Sequence, residues 1–148
     1  MSTLHTMDER MTALFGEPVT QPTADELVAS GALIDGTATY VEGNGSDPAR
    51  QPRLLFTPAA WDDLADWDEG NTAYQDVSGR IHDVVTASGF WHPLTGRCNT
   101  QMLAEHTVFS LVRIPNTPRA TTPRHTNAAV YPYLDNGRLT LKFCLTYE

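Results

Sequence analysis

Lysine is nearly missing from this chain: Lys142 is the one copy in 148 residues, beside nine arginines and eighteen acids, for a net charge of −8. A surface that acidic repels phosphate backbones and draws in basic partners, so direct nucleic-acid binding is not expected. No apolar run approaches the roughly 18 residues of a membrane-spanning helix, which sets aside a membrane role. The segment MSTLHTMDERMTALFGE lacks the charged-then-apolar profile of a secretory signal. Cys98 and Cys144, the two cysteines, lie far apart and read as free thiols of a reducing compartment, with one disulfide as the alternative. The expectation is a cytoplasmic protein. No nucleophile elbow, glycine-rich phosphate loop or HExxH pattern is present, so no reaction is named and the reading leans away from an enzyme.

The charge that is present is divided unequally. Residues 1–83 hold fifteen Asp/Glu against four Arg, and residues 84–148 hold three acids against five Arg and one Lys. The two portions sum to −11 and +3, which recovers the total of −8. At this length, with 41% hydrophobic residues, the expectation is one domain over 1–148, with 1–22 as a loosely ordered arm.

Thr23, with Glu26 three residues on, forms a capping box, and Gly31 closes the short helix that follows. A strand is expected to start over 32–34. The loop GNGSDPARQP at 43–52 carries no apolar anchor and is the best candidate for mobility. After Leu54-Leu55-Phe56, Thr57 and Pro58 supply an N-cap and a proline for the first helical turn. Trp61, Leu64, Ala65 and Asp68 then fall at helical spacing, the apolar ones forming a stripe. A turn at Asp76-Val77-Ser78-Gly79 leads to a second stripe, Ile81, Val84, Val85 and Ser88, stopped by Gly89. Beyond it the pattern becomes β. Strands are expected over 108–114 and 127–134, with Pro132 at an edge or bulge. Asp135-Asn136-Gly137 is a hairpin signal. Leu139, Leu141, Phe143, Leu145 and Tyr147 then alternate with Thr140, Lys142, Cys144 and Thr146. Helices first and strands last predict an α+β fold, two or three short helices packed on a C-terminal antiparallel meander.

The succession GEPV, ELVASGALID, LLFTPAAW, GRIHDVV, VFSLVRIP and LDNGRLTLKFCL, spread over residues 16–146, resembles a family of small uncharacterised proteins from plasmids, phages and actinobacterial genomes. His82, where an aromatic residue is expected, and the heavier acidic cluster at 62–69 depart from that pattern. The resemblance carries no activity with it; it implies a mobile-element context.

Asp62, Asp63, Asp66, Asp68 and Glu69 form the densest acidic stretch. One account is a solvated helix face with carboxylates near the N-terminal dipole; the other is an electrostatic decoy that docks on a cationic surface, with Trp67 as its apolar anchor, against which stands the packing of Trp67 at the edge of the core. The spacing is not that of a calcium loop. His82, His92, Cys98 and His106 are separated by ten, six and eight residues, with no local pair that could aim at one metal ion. His82 and Asp83 adjoin on a helix and diverge by about 100°, so they do not form a dyad. Arg113, Arg119, Arg124 and His125 have charge that can pair with the acidic half, within one molecule or across a homodimer. The reading that results is a non-enzymatic acidic accessory protein of a phage or mobile element. It would bind a basic protein surface through Asp62, Asp63, Asp66, Trp67, Asp68 and Glu69, without a cofactor or metal, and inhibit a host defence or nucleic-acid-handling complex. The alternative is a small metal-dependent or His-based hydrolase centred on His82, Asp83 and His92.

Overall fold

The computed structural model describes residues 22–45, 51–68, 70–71, 75–89, 91–92, 97–98, 106–118, 120 and 122–148. The arm expected over 1–22, but for Pro22, the centre of the expected loop at 46–50, Glu69 and Arg119 lie outside them; the ends of that loop are built into the fold, with Gly43 and Asn44 helical and Gln51 and Pro52 buried. None of the described helices is long and apolar enough to cross a membrane.

The alternating C-terminal segment organises the architecture. Strand β7 (Arg138–Leu145) lies in the middle of a five-stranded sheet, between β6 (Arg124–Asp135) and β2 (Arg53–Phe56), with β5 (Thr107–Arg113) and β1 (Ile34–Asp35) at the edges. The β6–β7 hairpin turns at Asn136 and Gly137, both with positive φ, as a two-residue turn between right-twisted strands requires. The α+β expectation is met. Strand β6 starts at Arg124, three residues earlier than expected, so Arg124 and His125 are paired strand residues opposite Arg113 and Val112. Pro132 lies on β6 beyond the last β5 pair, Thr107↔Val130, where a missing N–H costs the ladder nothing on that side.

One expectation is extended and one corrected. The meander β5–β6–β7 is antiparallel as expected, and β2 joins it in parallel to β7, from Arg53↔Thr140 to Phe56↔Phe143. The run Leu54-Leu55-Phe56 reads as continuous because both faces of β2 are covered, as in parallel sheets generally. Tyr147 is 79% exposed and lies past the end of β7, so it does not join Leu141, Phe143 and Leu145 in the core.

Leu54, Phe56, Phe109, Leu111, Ala128, Val130, Leu141, Phe143 and Leu145 form one face, packed beneath Tyr40, Ala60, Leu64, Ala65, Ile81, Val84 and Val85. Each large apolar side chain so buried contributes about 1.5–3 kcal/mol. The opposite face is covered at its β1–β2 end by α1 (Ala24–Ala29), through Ala24, Leu27, Val28, Leu33 and Leu55. Thr23 caps α1 by accepting from the Glu26 N–H, and Gly31 follows in the left-handed region, as its C′ position requires.

Helix α2 (Thr37–Asn44) has no clear apolar stripe, and its Thr, Gly and Asn content hides it in the sequence. Tertiary packing produces it. Its Gly43 presses against Ser78, where an added methyl would collide, and the Asn44 amide donates to Ser78 Oγ at 2.8 Å. The partner is α4 (Val77–Ser88). Its start, expected as a turn, is an N-cap: Asp76 Oδ1 accepts from the Gly79 N–H at 2.6 Å. Gly89 ends α4 in the left-handed region as expected.

Asp35 joins three elements. Its carboxylate accepts from the Thr37 hydroxyl at 2.6 Å, the Thr37 N–H at 2.9 Å and Arg53 Nε at 2.9 Å. Burial raises its pKa, but the Thr37 bonds and the Arg53 cation outweigh burial and hold it below the ordinary 3.8. A depressed carboxylate contributes stability that is full above the unfolded value and is lost as pH falls toward the folded one. Asp35→Asn should therefore cost about 1 kcal/mol at neutral pH and flatten the decline of stability between roughly pH 5 and pH 2. Urea unfolding across that range checks it; an acid dependence identical to wild type would show that the site contributes nothing.

Candidate functional site

Thr57 caps the acidic segment, its hydroxyl accepting from the Ala60 N–H while donating to Glu148 Oε2 at 2.6 Å. Pro58 occupies the first turn of α3 (Pro58–Ala60), which widens directly into a π-helical turn over Trp61–Ala65. The Asp66 N–H donates back to the Trp61 carbonyl at 2.8 Å, five residues earlier, and Asp66 itself is extended. The expected helix therefore ends at Ala65, and Trp67 and Asp68 sit on irregular backbone. A single π turn is a local distortion that needs outside support, and such turns are frequent at functional positions.

Arg80 supplies that support. It is 1% exposed, on the same i, i+4, i+8 row of α4 as Val84 and Ser88. One terminal nitrogen donates to Gln75 Oε1 at 2.7 Å and to the Ile114 carbonyl at 3.0 Å, and the other donates to the Asp63 carbonyl at 3.1 Å. Its guanidinium lies over the Trp67 ring, 5.0 Å from the centroid, a cation–π contact. Trp67 is 8% exposed as a result, which corrects its reading as an apolar anchor for a partner. Its ring has turned inward to cover a buried charge.

A second guanidinium is buried beside the first. Arg113, 4% exposed at the end of β5, donates to the Arg80 carbonyl and to Asp83 Oδ2, the latter at 3.2 Å. Desolvation, then the nearby Arg113 charge, lowers Arg80 to about 10, with Asp63, Asp66 and Asp83 opposing. Desolvation likewise lowers Arg113, against Asp83 and Asp63. Both remain cationic at neutral pH. The Nε atoms of both arginines are buried without a hydrogen-bond partner among the described residues.

The carboxylates divide by what they do for this pair. Asp63 is half-buried and ion-paired with Arg124, while its main-chain oxygen receives Arg80. Asp83 holds Arg113. Asp66 is half-buried and acts on Arg80 through its field. Asp62 and Asp68 are exposed, and no ion pair to either occurs among the described residues. The Asp68 backbone is pinned by a 2.9 Å hydrogen bond from its N–H to Asn116 Oδ1. The basic residues Arg113 and Arg124 thus pair with the acidic half inside one molecule, one of the two options the sequence left open.

Beside α4 lies a cleft of about 310 Å³ lined by Asn44, Gln75, Asp76, Gly79, Arg80, His82 and Asp83. His82 stacks on Tyr40, with centroids 6.2 Å apart, and its Nδ1 is buried without a partner among the described residues. Asp83 is engaged by Arg113, so the pairing of His82 with a carboxylate from its own helix does not arise. His92 lies in the short hairpin formed by β3 (Trp91–His92) and β4 (Arg97–Cys98), which pairs Trp91↔Cys98. No group of three or more His, Cys, Asp or Glu arranged for a metal ion occurs among the described residues. Cys144 is free, and burial, then Glu148, raises its thiol pKa, which lowers its thiolate fraction and nucleophilicity at neutral pH.

Compared with known proteins, the chain matches no family model, no curated protein and no solved structure.

Truncating either member of the stacked pair should be costly. Trp67→Ala should lose about 3 kcal/mol of stability in urea unfolding, because it empties a buried site and uncovers Arg80. Arg80→Lys should lose about 2–4 kcal/mol, since an ammonium lacks the planar fork that reaches three acceptors and stacks on the ring. A loss below about 0.5 kcal/mol for Trp67→Ala, ordinary for a surface position, would return that indole to the surface.

Proposed function

We propose that this protein is a non-enzymatic binding protein, an accessory factor of a phage or mobile element that docks on a basic protein surface through the face around Asp62, Asp66 and Asp68. By occupying a cationic groove it would inhibit a host defence or nucleic-acid-handling complex. The observation that carries the reading is the pair of exposed carboxylates, Asp62 and Asp68, without an ion pair among the described residues, on backbone fixed from below by Arg80 and from the side by Asn116. Rigid placement reduces the ordering cost of binding, and unscreened like charges speed encounter with a cationic partner. The −8 net charge and the sequence resemblance point the same way. Asp63 belongs to the scaffold rather than to the docking face, and Trp67 has no part in it.

The second reading, a small metal-dependent or His-based hydrolase, draws on the His82 Nδ1, which has no hydrogen-bond partner among the described residues, beside the 310 Å³ cleft. Elemental analysis of the purified protein separates the two. Stoichiometric zinc or manganese would favour the hydrolase.

The docking face is tested by capture from host extract with wild type and with a triple variant, Asp62→Lys, Asp66→Asn and Asp68→Asn. Asn at 68 retains the acceptor that the Gly70 N–H uses. Wild type should retain a basic protein that elutes as salt rises through the range where the screening length falls below about 8 Å. The triple variant, folded by circular dichroism, should lose it at all salt concentrations. Equal capture by both proteins with the same salt dependence would make the acidic segment a solvated surface and end the proposal.

A further inference from the structure

Strand β5 is the long edge strand of the five-stranded sheet. It pairs with β6 on one side, and among the described residues no strand lies on the other. Natural edge strands are usually guarded by shortness, lysine, proline or a bulge. Thr107–Arg113 has none of these: its seven consecutive pairs with β6 are unbroken, and its one charge, Arg113, is turned inward to Arg80 and Asp83. Val108 and Val112 are 60% and 56% exposed on the outer face, while Phe109 and Leu111 are buried on the inner.

We propose that β5 is the seam of a two-fold homodimer, in which it pairs antiparallel with β5 of a second copy about Ser110, joining two five-stranded sheets into one. Charge and register both select a second copy as the occupant. Two chains of charge −8 repel one another over most of their surfaces. From His106 to Leu134, however, there is no Asp or Glu, so the β5–β6 edge is where two copies meet without opposed carboxylates. Pairing about Ser110 is the register that uses all seven residues of the strand. It sets Val108 against Val112 twice on the outer face and Phe109 against Leu111 twice on the inner. Arg113 falls opposite Thr107, so the two guanidiniums stay at opposite ends of the seam. Cross-strand apolar pairs of this kind stabilise sheets, and the backbone groups of the free edge gain partners. The dimer is independent of the acidic docking face and presents two copies of it.

Analytical ultracentrifugation at roughly 10–100 µM should show a particle of twice the chain mass. Val108→Lys and Val112→Lys, each at an exposed position, should both give monomers that keep the wild-type circular dichroism spectrum. The double variant Val108→Glu/Val112→Lys should recover the dimer at low salt, because the introduced carboxylate of each chain then faces the introduced amine of the other. Ser110→Cys supplies a test that does not depend on those variants folding. Residues directly opposite in an antiparallel pair are about 4.5–5.5 Å apart at Cα, within disulfide reach. Mild oxidation should therefore link two chains through position 110, as peptide mapping would show. A wild type that stays monomeric over the whole range, lysine variants that still dimerise, a double variant no better than the single ones, or no 110–110 link would each overturn the proposal.

Discussion

Arg80 reaches three separate pieces of chain with one planar cation, and the helical layer depends on that reach. The π turn at Trp61–Ala65 ends abruptly at Asp66, and the last carbonyls of any helix lack partners within it. The guanidinium provides a donor for one of them, the Asp63 oxygen, and places a positive charge at a helix C-terminus, where the dipole favours it. Through its other terminal nitrogen it satisfies the Ile114 carbonyl, where the chain leaves β5. A helix end and a strand end are thereby closed by a side chain from a third element. Trp67 covers the cation with an aromatic face, which lets the backbone leave the helix at Asp66 without exposing the charge to water or the indole to solvent.

Burying two guanidiniums is expensive unless compensated, and the depressed Arg80 and Arg113 values express that cost directly. The compensation is spread out. Carbonyl and amide oxygens and the Asp83 carboxylate take the hydrogen bonds, while Asp63, Asp66 and Asp83 supply the field. Part of the acidity of the first half of the chain is therefore an internal requirement. The same holds at the far end of the sheet, where Arg53 is held between Asp25 and Asp35 at 2.8 and 2.9 Å. Two ion pairs, Arg113 with Asp83 and Arg124 with Asp63, join the acidic and basic portions of the sequence across distant residues.

The three C-terminal strands were legible because period-two alternation and a turn signal such as Asp135-Asn136-Gly137 act locally. The caps at Thr23 and Thr57 and the stops at Gly31 and Gly89 were legible for the same reason. What stayed hidden depends on contacts across the chain. Helix α2 has no apolar stripe and exists because Gly43 allows it to approach Ser78. The parallel pairing of β2 with β7 joins residues nearly ninety positions apart, and no local pattern encodes it. Arg80 could have been found by counting. It shares its helical row with Val84 and Ser88, and a charged residue on a buried row needs an explanation. For Trp67 two readings were open, a partner anchor and packing at the core edge; its burial favours the second, and its neighbour in space is the cation that the surrounding carboxylates help to hold.

This division of labour also determines how much of the acidic stretch is left for recognition. Asp63 and Asp83 already have arginine partners, and Asp66 sits close enough to Arg80 to offset its burial. Removing Asp63 or Asp83 would leave an arginine unpaired, so their presence needs no partner to explain it, while Asp66 serves the scaffold through its field alone. Asp62 and Asp68 stand apart: they are exposed, and among the described residues the Asp68 carboxylate accepts from the Gly70 N–H while its backbone is held by Asn116 and Asn71. A carboxylate kept in water contributes little to stability but much to the field that an approaching cationic surface meets. The scaffold uses its acids to neutralise buried arginines and carries a small surplus outward on backbone that those arginines make rigid. The surplus, rather than the total of −8, is the quantity on which recognition by a basic partner would depend.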